Sequence, residues 1–435
     1  MEKKPGRDTP EPQVEEPQDG GDDIGKDEKP KNILLIISDD QGLDASAQYS
    51  LSTDLPNTPT IDGFAQEGIV FDNLWATPSC PTTRGSLITG LHGIRTGVDR
   101  NPSLLDTELL TLQRHLQNEG RLPNYATAVI GKWHLVGNEQ DRLNHPIESG
   151  VGFYAGTITG GINDYESWPL TQNGVTSTSS VYHTTAMTDL AIDWVSGQED
   201  GPWFLWLAYV APHSPYHLPP AHLHDRNLSG TAADINANSR NYFLAAIEAM
   251  DKEIGRLIDS LDEDVRENTL IVFMGDNGSP SQVIDTNVYD RAHGKGSLYE
   301  GGLRVPMIAT GAGVERKNER EPGLINTVDF FSTFSEVAGI AQPEDKNSVS
   351  FSKLFKESAP APREFNYSEF ISNRTDGWAV RNKNLKLIVF ENGTRELYDL
   401  SADLGEENNL LDRAQDFTAD IQELEAFAEE IRAVQ

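Results

Sequence analysis

The sequence is poor in thiols, in long apolar runs and in positive charge, and each scarcity excludes something. Its 435 residues contain one cysteine, Cys80, so no intrachain disulfide can form. The longest apolar stretch, Trp203–Ala211, is far too short to span a bilayer as a helix. Lys and Arg number 35 against 68 Asp and Glu, a formal charge of −33. Phosphate backbones and anionic membrane surfaces both need clustered Lys and Arg, so neither is an expected partner. The acidity is not confined to one end. Residues 1–30 hold ten acids and five bases, a net of −5, which leaves −28 on residues 31–435. No internal repeat is visible, and no apolar segment follows Met1 as in a signal peptide.

What is present falls into three parts. Residues 1–30 are polar, Pro-rich and low in complexity, which predicts a disordered acidic tail. Such a tail suits a tether left after a removed export or lipoprotein signal. A periplasmic or secreted location is therefore expected, with a cytoplasmic chain that starts loosely as the alternative. Order begins at Lys31, and a catalytic α/β domain is expected over 31–340. Short continuous apolar runs predict buried parallel strands at Asn32–Ser38, Ala126–Ile130, Trp203–Val210, Thr269–Met274 and Val305–Ala309. Helical spacing predicts helices at Thr83–Thr89, Leu109–Gln117, Thr184–Val195, Tyr242–Leu261 and Val328–Val337. This alternation reads as α/β: a large, mostly parallel sheet flanked by helices. Over 341–435 the pattern changes to a small C-terminal α+β subdomain. Antiparallel strands are expected within Gly377–Phe390 and Thr394–Leu400, with a closing helix at Thr418–Val434.

Four of the strands end in polar clusters, and open α/β sheets bind ligands at the carboxyl ends of their strands. Asp39 and Asp40 follow the first run; Asp276 and Asn277 follow the fourth. Together they offer three carboxylates and an amide oxygen with no histidine among them, a donor set for a hard cation such as Ca²⁺ or Mg²⁺. Either pair alone also suits a turn or a helix cap. Cys80 lies just before the helical stretch Thr83–Thr89, where backbone N–H groups favour an anion, and Arg84 lies one turn on. A lone thiol is equally compatible with a buried structural cysteine. Lys132, His134, His213 and Lys295 each follow a strand end or adjoin a Gly-rich turn, and so converge on the same sheet edge. Tyr165, Trp168, Tyr216, His217, Asn373 and Arg374 lie in segments that could border a substrate, whereas Trp133 suits packing. His293 has no evident role.

These stretches carry a resemblance. Ile36–Gly42, Cys80–Gly90, Gly131–Leu135, Ala211–His213, Gly275–Gly278, Gly294–Pro306 and Glu396–Leu400 are similar, in order, to the motifs of the type I (formylglycine-dependent) sulfatases of the alkaline phosphatase superfamily. The similarity covers about residues 31–412. It implies that Asp39, Asp40, Asp276 and Asn277 hold one Ca²⁺. It implies that Cys80 is oxidised to formylglycine by a formylglycine-generating enzyme, and that the hydrate of that group completes the metal shell. Arg84 would then anchor the formylglycine, Lys132 and Lys295 would grip the sulfate oxygens, His134 would lie by the formylglycine, and His213 by the leaving oxygen. The implied substrate is a sulfate monoester of a carbohydrate or an aryl alcohol.

The chemistry needs such groups. A metal and two ammonium groups stabilise charge on the non-bridging oxygens. The hydrate supplies an oxygen nucleophile, with Asp276 as proton acceptor. His213 can protonate the departing alcohol, and His134 can serve as the base that expels sulfate. The chain departs from the family signature at one point: Thr82 stands where Pro is usual, and Pro81 precedes it. That departure motivates one rival reading, an inactive relative that binds sulfated glycans. The other rival is a phosphodiesterase or phosphonate monoester hydrolase on the same scaffold, since the same clamp suits phosphoryl oxygens. The charge of −33 would repel an anionic substrate, so any attraction must come from the local site.

Overall fold

A strand with an unbroken apolar run, such as Ile33–Ile37 of the first strand, must be covered on both faces. A computed structural model of the chain describes residues 30–117, 124–198, 201–372 and 376–433; the tail 1–29 and the candidates Asn373 and Arg374 lie outside the described residues. Strand β1 (Asn32–Ser38) is buried throughout. Its Ile33, Leu35 and Ile37 pack into one apolar layer with Leu87, Leu116 and Phe334. Its Leu34 and Ile36 pack into the opposite layer with Met187, Phe243 and Leu257. Helices Cys80–Thr89 and Asp329–Val337 supply the first layer, and His183–Ser196 and Ser239–Ser260 the second.

The remaining strands of this sheet are β2 (Ile69–Trp75), β3 (Ala126–Lys132), β4 (Phe153–Thr157), β5 (Trp168–Gln172), β6 (Val175–Ser179), β7 (Trp203–Ala208), β8 (Thr269–Gly275), β9 (Arg304–Val305), β10 (Met307–Gly311) and β11 (Glu319–Asn326). They lie in the order β11-β2-β10-β8-β1-β7-β3-β4-β5-β6, with β9 beside β2. The run β8-β1-β7-β3-β4 is parallel. The expected mostly parallel sheet flanked by helices is therefore observed. Two features differ from expectation: the run Val305–Ala309, expected as one parallel strand, is split at Pro306 into β9 and β10, with β10 antiparallel to β8, and β4-β5-β6 finish as an antiparallel meander. The four strands that carry polar clusters, β8, β1, β7 and β3, are consecutive neighbours, so their carboxyl ends form one continuous edge.

A second, four-stranded antiparallel sheet contains β12 (Asn366–Phe370), β13 (Gly377–Arg381), β14 (Leu385–Phe390) and β15 (Arg395–Asp399). The stretch Gly377–Phe390, expected as extended, is a hairpin whose turn uses Asn382 Oδ1 to accept from the Asn384 and Leu385 amides. The helix Thr418–Ala433 covers this sheet with Ile421, Leu424, Ala428 and Ile431. The join between the two sheets is polar and buried. Glu300 accepts from Trp75 Nε1 (3.0 Å), Arg381 (3.0 Å) and Lys386 (3.2 Å), and Lys386 also reaches Glu406 at 2.7 Å. That join braces the loop carrying Lys295. His293 stacks on Tyr299 at 3.7 Å and bonds to the Gly405 carbonyl, which assigns it a packing role.

Candidate active site

The strand ends deliver their acids to one point. Asp40 has φ 76°, a left-handed backbone that a non-glycine residue holds only under constraint. Its amide donates to Asp276 Oδ1 at 3.0 Å, which ties the turn after β1 to the turn after β8. Asn277 Nδ2 donates to Asp40 Oδ1 (2.8 Å) and to the Gly278 carbonyl (3.1 Å), leaving Asn277 Oδ1 buried with no hydrogen-bond partner. Cys80 is the first residue of the helix Cys80–Thr89, with Ser79 as its cap and Pro81 in the first turn, where no backbone donor is lost. Its Sγ lies 3.2 Å from Asp39 Oδ1 and 3.8 Å from Asp40 Oδ1. Asp39, Asp40, Cys80 and Asp276 each present a ligand atom within 4.8 Å of the others, and all four are buried.

Three cations answer the three carboxylates. Lys132 Nζ lies 2.6 Å from Asp39 Oδ2, and both side chains are fully buried. Lys295 Nζ donates to Asp40 Oδ1 and lies 3.2 Å from Cys80 Sγ. Arg84 places two nitrogens on Asp276 Oδ2 (2.8 and 3.2 Å) and a third on the Lys132 carbonyl at 2.7 Å. Burial opposes ionisation of Asp39 and Asp40, but Lys132 beside Asp39 and Lys295 beside Asp40, with His213 near both, outweigh it and hold both below the usual carboxylate range. Asp276 goes the other way: burial and the Asp39 charge outweigh Arg84 and push it up. Burial, then Asp276 and Asp39, also push the Cys80 thiol up.

The two histidines follow neighbouring strands, His134 after β3 and His213 after β7. Gly131 has φ 116°, and a Cβ there would meet the Ala208 carbonyl oxygen at 1.9 Å, so only glycine lets β3 approach β7 this closely. Just beyond it, His134 (φ 61°) is held neutral, first by burial and then by Lys132 and Arg84, and its Nδ1 has no partner. A Cβ on Gly160 would lie 2.3 Å from His134 Nε2, which makes that glycine the space the ring needs. His213 Nδ1 donates to the Ser214 carbonyl at 2.7 Å, and Nε2 lies 3.7 Å from Asp40 Oδ2. Its side chain is 21% exposed, so Nε2 is reachable from outside.

The catalytic and metal-binding candidates Asp39, Asp40, Cys80, Arg84, Lys132, His134, His213, Asp276, Asn277 and Lys295 are all described, and Asp39, Asp40, Asp276 and Lys295 lie directly against Cys80. The Arg84 guanidinium contacts Asp276 and the Lys132 carbonyl, as Lys132 and Lys295 contact Asp39 and Asp40. Tyr165 and Trp168, in a segment that could border a substrate, are buried at 2% and 1% exposure. Thr82 is buried with its hydroxyl on the Ser79 carbonyl at 2.7 Å, so its polarity is satisfied in place. Two supporting residues had no sequence signal of their own. Asp44 accepts from Ser279 Oγ (2.6 Å) and Arg240 (3.0 Å), and Ser279 Oγ accepts from the Gly42 amide at 3.2 Å. They lock the two acidic turns together.

Comparison with known proteins agrees with this geometry. The sulfatase family model matches residues 31–340, and the C-terminal model of N-sulphoglucosamine sulphohydrolase matches 289–433. Arylsulfatase J of Mus musculus is 26% identical over 329 residues, 71% of this chain and 52% of that protein. The chain thus spans about half the length of that relative. The ulvan-active sulfatase of Formosa agariphila is 27% identical over 409 residues, 89% of this chain and 78% of that protein. Among solved structures, Ps i-CgsB in complex with k-i-k-neocarrahexaose superposes with TM-score 0.78 at 24% identity, covering 92% of each chain; at that identity the likeness is one of fold. The chain belongs to the type I sulfatase family of the alkaline phosphatase superfamily.

Proposed function

We propose that the chain hydrolyses sulfate monoesters of saccharides, with residue 80 as the attacking position. The observation that carries this is the convergence on Cys80 of three buried carboxylates, three cations and an unpartnered amide oxygen. Those donors fit a hard cation: three are oxygens, and Asn277 Oδ1 is a fourth that lacks any other partner. The sulfur of Cys80 is the one misfit, and formylglycine at that position would make the set all-oxygen. Calcium held by Asp39, Asp40, Asp276 and Asn277 would supply charge neutralisation, and formylglycine would supply a hydrated aldehyde as nucleophile. The protein groups do the rest. Lys132 and Lys295 bind the non-bridging oxygens of sulfate. Arg84 keeps Asp276 in place. His213 delivers a proton from Nε2 to the departing oxygen, and His134, held neutral, takes a proton at its free Nδ1.

The local charge supports an anionic substrate despite the acidic surface. Three carboxylates and three cations sum to 3 − 3 = 0, and a divalent ion raises the site to +2. The saccharide class is supported by relatives named ulvan-active sulfatase and N-acetylgalactosamine-6-sulfatase. A periplasmic or secreted location belongs to the same reading and is checked by fractionating the native host; no described helix is long and apolar enough to cross a membrane. The functional test is turnover of an aryl sulfate against an aryl phosphate diester. Preference for the sulfate is expected; a much larger kcat/KM on the diester overturns the assignment.

A further inference from the structure

His213 reaches its place on a loop, Ala211–His217, that leaves β7 and belongs to no helix or strand. A proton donor must be held within a few tenths of an ångström of its acceptor, and loop backbone does not achieve that unaided. Here the holding comes from a distant segment. Tyr165 donates its hydroxyl to the His213 carbonyl at 2.6 Å. The Tyr165 ring stacks face to face on His217, with centroids 3.8 Å apart and planes at 24°. His217 is fixed in turn. Its Nδ1 bonds to the Pro215 carbonyl at 3.0 Å, which can only accept, so Nδ1 carries the proton and Nε2 accepts from Tyr182 Oη at 2.9 Å. Tyr165 and Tyr182 thus grip the loop at both ends, residue 213 and residue 217.

The carbonyl that Tyr165 holds belongs to the peptide joining His213 to Ser214. The next carbonyl, that of Ser214, accepts from His213 Nδ1 at 2.7 Å. Fixing the first peptide plane therefore fixes the backbone from which both the imidazole and its Nδ1 partner project. With Nδ1–H committed to a carbonyl, Nε2 is the nitrogen left to face the site and to pass on a proton.

We infer that Tyr165 is a positioning residue for leaving-group protonation: its hydroxyl, through the His213–Ser214 peptide, sets where His213 Nε2 presents its proton. The inference rests on the role proposed above for His213. It makes a demand that a merely structural residue does not. Protonation matters for an ester whose leaving oxygen is strongly basic, such as a sugar hydroxyl, and little for a nitrophenol, which departs as an anion.

The test is Tyr165→Phe, which keeps the ring and removes the hydroxyl, assayed on a sugar sulfate and on a nitrophenyl sulfate beside His213→Ala. For Tyr165→Phe, kcat on the sugar sulfate is expected to fall about tenfold. On the nitrophenyl ester kcat should stay within about twofold, with KM unchanged on both. His213→Ala should show the same selectivity, larger in size. An equal loss on both esters, or no loss on either, in Tyr165→Phe overturns the inference while leaving His213 in place. A non-selective His213→Ala overturns it at its base. Should Tyr165→Phe fail to fold, Tyr182→Phe, which frees His217 beneath the stack, is expected to give a weaker loss of the same selectivity; an equal loss on both esters again contradicts the inference.

Discussion

Replacing Lys295 by Met separates the two tasks assigned to this site, holding a metal and holding a sulfate. The ammonium lies 3.2 Å from Cys80 Sγ and donates to Asp40, so it borders both the attacking position and a proposed metal ligand. At an effective dielectric of about 20, a unit charge at this distance interacts with developing charge by about 5 kcal/mol. Lys132, paired with the neighbouring Asp39, compensates in part. The expected loss is about 3–4 kcal/mol of transition-state stabilisation, or about 10²–10³-fold in kcat/KM. Metal binding should move the opposite way. Without Lys295, three carboxylates face two cations, so calcium is retained or held more tightly. The side chain is 20% exposed and long, and Met preserves its apolar stem, so the fold should survive. The assay is turnover of an aryl sulfate together with calcium content and thermal melting of the same sample. Turnover within about threefold of the parent would move the sulfate clamp elsewhere. Loss of calcium together with activity would show that Lys295 acts on the metal and refute the separation.

Asp276→Ala should abolish both bound calcium and turnover, and it strands Arg84, whose side chain is fully buried, at a cost of about 3–5 kcal/mol; calcium at full occupancy in the variant would contradict the ligand assignment. Lys386→Met should destabilise by a similar amount of about 3–5 kcal/mol, because Glu300 and Glu406 lose a buried partner; an unchanged melting temperature refutes the role of that join. Burial pushes Glu406 up from 4.5 to about 7 against the pull of Lys386. The stability carried by this group is complete below its unfolded value near 4.5 and is lost as pH rises through about 7, which a series of melts over that window reads directly. Moderate salt should raise kcat/KM for a multiply sulfated saccharide by screening the charge of −33; a steep fall with salt would indicate attractive steering.

The centre of the fold and most of the site were legible because the same physics wrote both. β1, β7 and β8 are buried on both faces, so they read as unbroken apolar runs, and each run stops abruptly at polar residues that form the site. The sheet edges were not legible for the converse reason. β2 carries Asp72 and Asn73 half-buried in its interior, where Arg320 and the Pro322 carbonyl of β11 satisfy them. β11 contains Pro322, and its register with β2 shifts between Glu321 and Leu324. β6 is a mostly exposed Val-Thr-Ser-Thr-Ser stretch, and its only local signal was the Asn173-Gly174 turn, whose residues have φ 43° and 82°. Within the site, the residue types announced themselves but their partners did not. Arg84 finds Asp276 and Tyr165 finds the His213 carbonyl across 192 and 48 residues of sequence, and no local pattern encodes such pairings.

The account stands on residue 80 being more than a thiol. Its Sγ is the one donor out of character among buried oxygens, beside Lys295 and at the start of a helix. Mass spectrometry of the peptide containing Cys80, from protein made in the native host, tests this most directly. An aldehyde at position 80, trapped as its hydrazone, is the predicted result. A peptide carrying only the unmodified cysteine would contradict the account.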